Sequence, residues 1–287
     1  MSKLQIALCN EVLAHLPFAD QCQAAAALGY DGLEVAPFTL AADPMQITDE
    51  QAIEFARIAQ DHGLTIFGLH WLLVAPAGLS IASLDAALRA RTTDVMCRMV
   101  ELCHLMGGSY LVHGSPKQRS IPQGDTHDAT LARARDCLAI AAQTAQVCGV
   151  TYCIEPLSRK ETDVLNTVAQ AAQLVDEINS RAFKTMIDCS AAGQTEDEPV
   201  DSLMAKWIPT GRIAHVQVND PNRRGPGQGD MHFKTILQTL LSMRTQGHYK
   251  GIIAVEPFDY VPDGMGSAAH SMGYLRGVLQ TLEMNDD

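Results

Sequence analysis

The sequence predicts one closed (β/α)8 barrel spanning residues 1–287. Three observations lead there. Eight short apolar runs alternate with longer helical patterns, the apolar runs are nearly unbroken, and glycines recur just ahead of several of them. Alternation of this kind marks parallel strands joined by crossover helices. Unbroken apolar runs mark strands covered on both faces, as barrel strands are. The glycines supply the left-handed residue that stops a helix and turns the chain.

In chain order the expected strands are QIALCN (5–10), DGLEVAP (31–37), LTIFGLH (64–70), SYLVHGS (109–115), VTYCIEP (150–156), FKTMIDCS (183–190), RIAHVQVN (212–219) and GIIAVEPF (251–258). Gly29, Gly63, Gly107, Gly149 and Gly247 each precede a strand by one to four residues. Helical patterns fill the intervals. One runs from Thr48 to His62 and opens on a Thr48/Gln51 capping-box spacing; another runs from Ser83 to Met106, with apolar positions at Val95, Met96, Met99, Val100 and Cys103. The Ala-rich stretches Ala24–Leu28 and Ala139–Val147 fit outer helix packing. An open doubly wound sheet is the alternative arrangement. No GxGxxG or GxxxxGK[ST] loop follows any strand, so its usual phosphate cradles are missing, and no domain boundary is visible.

Composition narrows the function. With 33 acidic and 21 basic residues the formal charge is -12, which opposes a polyanionic partner, so nucleic acid is not the expected substrate. The eight cysteines form no CxxC pair and several sit inside apolar runs, as reduced core thiols do, which predicts a cytoplasmic protein. The start, MSKLQIALCN, carries no signal-like apolar stretch, and no window is long enough for a membrane span.

The last four strands each carry one oxygen or nitrogen donor: Glu155, Asp188, His215 and Glu256, with Glu155 and Glu256 each followed by proline. In a closed barrel, adjacent strand ends converge on one mouth, so these four are expected within a few ångströms of one another. A single acid at a strand end is ordinarily a helix N-cap or a surface ion-pair partner. Three carboxylates crowded together raise one another's pKa unless a divalent cation neutralises them. Three oxygen donors and one imidazole, with no thiolate, suit Mn2+, Mg2+ and Co2+. Mn2+ is the expected ion.

At these residues the chain resembles the xylose-isomerase-like TIM-barrel superfamily, and within it the D-tagatose/D-psicose 3-epimerase type. EPLSRKET at Glu155–Thr162, followed by LNT at Leu165–Thr167, is similar to that family's E-P-L-N-R-x-E-T and L-N-T; the stretch HVQVNDPNRRGPGQGD resembles its His-bearing strand and Arg loop, and EPF at Glu256–Phe258 its last ligand. The resemblance implies metal ligation by Glu155, Asp188, His215 and Glu256, with Glu161 and Arg223 holding substrate hydroxyls and Arg224 as a substitute. It departs where the epimerases have D-T-F-H and this chain has DCSA, with Ala191 in the histidine's place. GSPKQR (114–119) and LHWLL (69–73) resemble other members of the superfamily.

The expected chemistry is proton transfer through an enediolate, with Glu155 and Glu256 as the acid/base pair on opposite faces of a sugar or keto-sugar. His70 and His113, at the ends of strands 3 and 4, are read as substrate contacts, Lys117 and Arg119 as a grip for a phosphate or carboxylate, and Trp71 as an apolar wall or core residue. A keto-inositol-type dehydratase of the same superfamily is the alternative. An endonuclease-IV-like nuclease needs more histidine ligands and basic loops, and a non-catalytic sugar-binding barrel would do without Glu161 or Arg223. Family analogy suggests a homodimer or homotetramer.

Overall fold

The computed structural model describes residues 4–283; residues 1–3 and 284–287, the two ends of the expected domain and part of the untargeted start, lie outside the described residues. Eight parallel strands close into a barrel in sequence order: β1 (Ile6–Cys9), β2 (Gly32–Val35), β3 (Thr65–Leu69), β4 (Tyr110–His113), β5 (Thr151–Ile154), β6 (Phe183–Asp188), β7 (Ile213–Val218) and β8 (Ile253–Val255). Each expected run contains one of them. The barrel shuts where β1 pairs with β8, Ile6 opposite Ile253.

Helices α1 (Phe18–Leu28), α2 (Asp49–Asp61), α3 (Ala86–Leu105), α4 (His127–Cys148), α5 (Val168–Ile178), α6 (Cys189–Thr195), α7 (Val200–Trp207), α8 (Phe233–Thr245) and α9 (Gly264–Glu283) surround it. The Thr48/Gln51 signal is a complete capping box: the Thr48 hydroxyl accepts the Gln51 amide hydrogen and the Gln51 side chain accepts that of Thr48. Gly29 and Gly149 end α1 and α4 at positive φ, where a side chain would strain the backbone.

Two apolar layers follow from the strand alternation. Ile6, Leu33, Ile66, Leu111, Ile154, Phe183, Val216 and Val255 pack outward beneath the helices, while Ala7, Cys9, Tyr110, Val112, Cys153, Met186 and Ala254 fill the barrel interior. Two bulges break the alternation. Leu33 pairs with Ile66 but Glu34 with Gly68, so Phe67 is extra in β3; Thr185 pairs with Ile213 but Met186 with His215, so Ala214 is extra in β7. An extra residue turns everything after it to the other face. No helix among the described residues is long and apolar enough to cross a membrane.

Candidate active site

At the C-terminal mouth, carboxylate oxygens of Glu155, Asp188 and Glu256 lie within 4.8 Å of one another, and all three side chains are buried. Each stands at the end of its strand. Asp188 is also the N-cap of α6: one oxygen accepts the Ala191 amide hydrogen at 2.6 Å, while Oδ2 has no partner among the described residues. Glu256 Oε2 is likewise bare. Gly114, at the end of β4, makes room for the third acid, since a Cβ there would collide with Glu155 Oε2.

The electrostatics are those of acids crowded together out of water. Burial raises Glu155 and Glu256 well above the carboxylate range, and the neighbouring acids push them further. Burial lifts Asp188 to about 7, against the opposing pull of the Ala191 amide. Buried, mutually repelling carboxylates, two of them with an unpartnered oxygen, are the donor set that a divalent cation makes favourable.

His215 does not join them. Past the Ala214 bulge it points into the barrel one layer below, level with Met186; its ring stacks on Tyr110 at a centroid distance of 4.1 Å and its Nε2 lies 2.8 Å from Glu34 Oε2. The residue level with Asp188 is Gln217, fully buried, whose carbonyl Oε1 has no partner among the described residues. The sequence reading passed over it because histidine is the more familiar ligand. The usable signal was position: Gln217 shares the inward face with His215 and stands two residues nearer the strand end.

Several other expected residues are placed differently from one another. Glu161 is at the mouth, its Oε2 accepting the Ser158 hydroxyl at 2.7 Å and its Oε1 3.7 Å from Arg223 Nη1. Arg223 lies 4.7 Å over the Phe258 ring, and its carbonyl accepts the amide hydrogens of Phe258 and Asp259, tying the β7 and β8 loops together. Arg224 turns away to Asp259. Trp71 meets Phe258 edge to face, and with His70, Glu155, Glu161 and Glu256 they line a pocket at the mouth.

His70 faces this cavity, its Nε2 2.8 Å from Glu11 Oε2 and 3.9 Å from Glu256 Oε1. Burial disfavours its charge, but Glu11 and Glu34 outweigh that and raise its pKa. His113 does not reach the mouth. The β4 alternation turns it outward, where Nδ1 bonds the Tyr152 hydroxyl at 2.8 Å, and burial drives it down to about 3, leaving it neutral. Lys117 is exposed in solvent, whereas Arg119 is fully buried with none of its three nitrogens hydrogen-bonded among the described residues. Burial lowers Arg119 to about 10, opposed by Glu155 and Glu161.

Two acids escaped the sequence reading. Glu11 sits in the turn after β1, and Glu34 in β2 is fully buried. Burial would raise Glu34, but His215, His70 and the Tyr110 hydroxyl bring it down to about 2. Neither acid carries a local motif, because their partners are 59 and 183 residues away in sequence.

Comparison with known proteins agrees with the fold. The sequence model described as the xylose isomerase-like TIM barrel matches residues 22–278. A D-psicose 3-epimerase from Enterocloster bolteae is 30% identical over 238 residues, 81% of this chain and 74% of that protein. One from Agrobacterium fabrum is 27% identical over 281 residues, 94% of this chain and 89% of that one. Among solved structures, a 3-keto-D-glucoside 4-epimerase from E. coli superposes with a TM-score of 0.81 at 19% identity, covering 96% of this chain and 100% of the other.

Proposed function

Because the chain belongs to the xylose isomerase-like TIM barrel family, we propose that it is a divalent-metal-dependent epimerase or isomerase of a sugar or keto-sugar, acting as a cytoplasmic homo-oligomer. The observation that carries this reading is the buried group of Glu155, Asp188 and Glu256 at the ends of β5, β6 and β8, with a bare oxygen on Asp188 and on Glu256. Relatives named ketose 3-epimerases support the reaction class, and the free state of all eight cysteines supports a reducing compartment.

Glu155, Asp188, Gln217 and Glu256 would hold the cation, with Gln217 taking the place first expected of His215. Four oxygen donors suit Mn2+ and Mg2+ better than the softer Co2+. When bound, such an ion polarises a substrate carbonyl and stabilises negative charge on its oxygen. The protein supplies the rest. Glu155 and Glu256 take and return the proton on opposite faces of a planar enediolate, which inverts the carbon. Glu161 and Arg223 hold substrate hydroxyls at the rim, His70 meets the substrate from β3, and Trp71 with Phe258 walls the cavity against water.

One observation favours a second reading of the substrate, a carboxylated or phosphorylated keto-sugar: the bare, buried guanidinium of Arg119. The deciding experiment is turnover of free ketoses and anionic keto-sugars with Mn2+, following deuterium uptake from heavy water at the reacting carbon. Inversion with solvent deuterium is the expected result. Absence of turnover on every ketose and keto acid tried, with one Mn2+ bound per chain, would sink the epimerase reading. Arg119→Met should selectively abolish turnover of anionic substrates if the second reading holds, and should weaken all substrates alike if Arg119 only balances Glu155.

A further inference from the structure

Beneath the three carboxylates, Glu34 makes contacts that no step of the proposed reaction uses. Its Oε1 accepts a hydrogen from the Gln217 side-chain nitrogen at 2.6 Å, and its Oε2 accepts the Tyr110 hydroxyl at 2.6 Å. It is fully buried on β2, across the barrel from β7.

A glutamine side chain is a ligand only through its oxygen, and its two ends are nearly identical in shape, so a half-turn about the last bond would present NH2 to a cation instead. Nothing on Gln217 itself forbids that turn. The bond to Glu34 does, because a carboxylate accepts hydrogens only and leaves Oε1 at the other end, where it has no partner among the described residues. We infer that Glu34 is a positioning residue that fixes the Gln217 amide with its oxygen toward the cation. The inference rests on Gln217 as a ligand.

The test is Mn2+ binding by the purified protein, with free Mn2+ read by its paramagnetic resonance signal, in five chains: wild type, Glu34→Gln, Gln217→Ala, the double variant of these two, and Glu34→Gln with Gln217→Glu. In Glu34→Gln, a side chain that keeps its oxygen for Tyr110 offers NH2 to Gln217, which must then turn its own oxygen inward. The Mn2+ dissociation constant should rise by about tenfold or more, within the range seen for groups that orient ligands. In the Gln217→Ala background there is no amide to orient, and Glu34→Gln should change the constant by less than about twofold. The reversed pair, Glu34→Gln with Gln217→Glu, conserves charge and again leaves an oxygen toward the cation, so it should recover binding. Unchanged affinity in Glu34→Gln, or an equal loss with and without the Gln217 side chain, overturns the role of Glu34. If Gln217→Ala binds Mn2+ as wild type does, Gln217 is not a ligand and the inference falls with it. The reaction class then stands on the other three donors.

Discussion

Single atoms decide this site, and Gly114 is the clearest case. The Glu155 carboxylate occupies the space where a side chain at Gly114 would begin. Gly114→Ala should therefore displace the acid while sparing the barrel, lowering kcat/KM by about a hundredfold with thermal stability nearly unchanged. Steady-state kinetics beside a melting curve would show it, and unaltered kinetics would mean that Glu155 acts from another position. Glu155→Gln and Glu256→Gln remove the proposed acid and base themselves, and each should reduce turnover by about a thousandfold or more. Turnover retained in either variant, with Mn2+ still bound, would exclude that glutamate as a base. The carboxylates were legible because Glu-Pro closes an apolar run twice in this chain. Which way His113, His215 and Gln217 point was not legible, since a side chain's face depends on strand ends and on the Ala214 bulge, and a bulge leaves no mark in hydropathy.

Among the elements, the strands were readable because each is covered on both sides and so is apolar throughout, and α2 because its cap is written in adjacent residues. The mouth loops are another matter. Trp71, Ser115, Leu165 and Arg223 all take positive φ without being glycine, and they fall in the loops after β3, β4, β5 and β7. Backbone of this kind persists only where its surroundings hold it, and it gathers where side chains must be aimed. Helix caps far from the mouth should matter for stability alone. Thr48→Ala deletes the capping box of α2 and should cost about 1 kcal/mol, lowering Tm by roughly 2 °C, with kcat/KM untouched. A loss of turnover in that variant would show that α2 is coupled to the mouth loops.

For the whole molecule, the buried acids tie stability to pH and to metal. Glu155, Asp188 and Glu256 hold protons more tightly folded than unfolded, because burial raises all three. The sign follows directly: when the folded state binds more protons, stability is greatest at low pH and falls as pH rises from the ordinary carboxylate range toward about 7, the position of Asp188. A cation in the proton's place reverses this, because it binds the ionised form. Metal-stripped protein should thus lose thermal stability between pH 5 and pH 8, and the rise in Tm on adding Mn2+ should be larger at pH 8. A metal-induced shift independent of pH would contradict the donor set.

Closure of β1 onto β8 also governs how the protein is made. On the ribosome, the strand that donates Glu256 emerges after the other seven, and until it arrives the growing sheet has bare edges at β1 and β7. The nascent chain holds Glu155, Asp188 and Gln217 without their last companion. On the proposed reading, capture of the cation belongs to a chain with all eight strands, and a truncation before β8 exposes two strand edges to aggregation as well as removing Glu256.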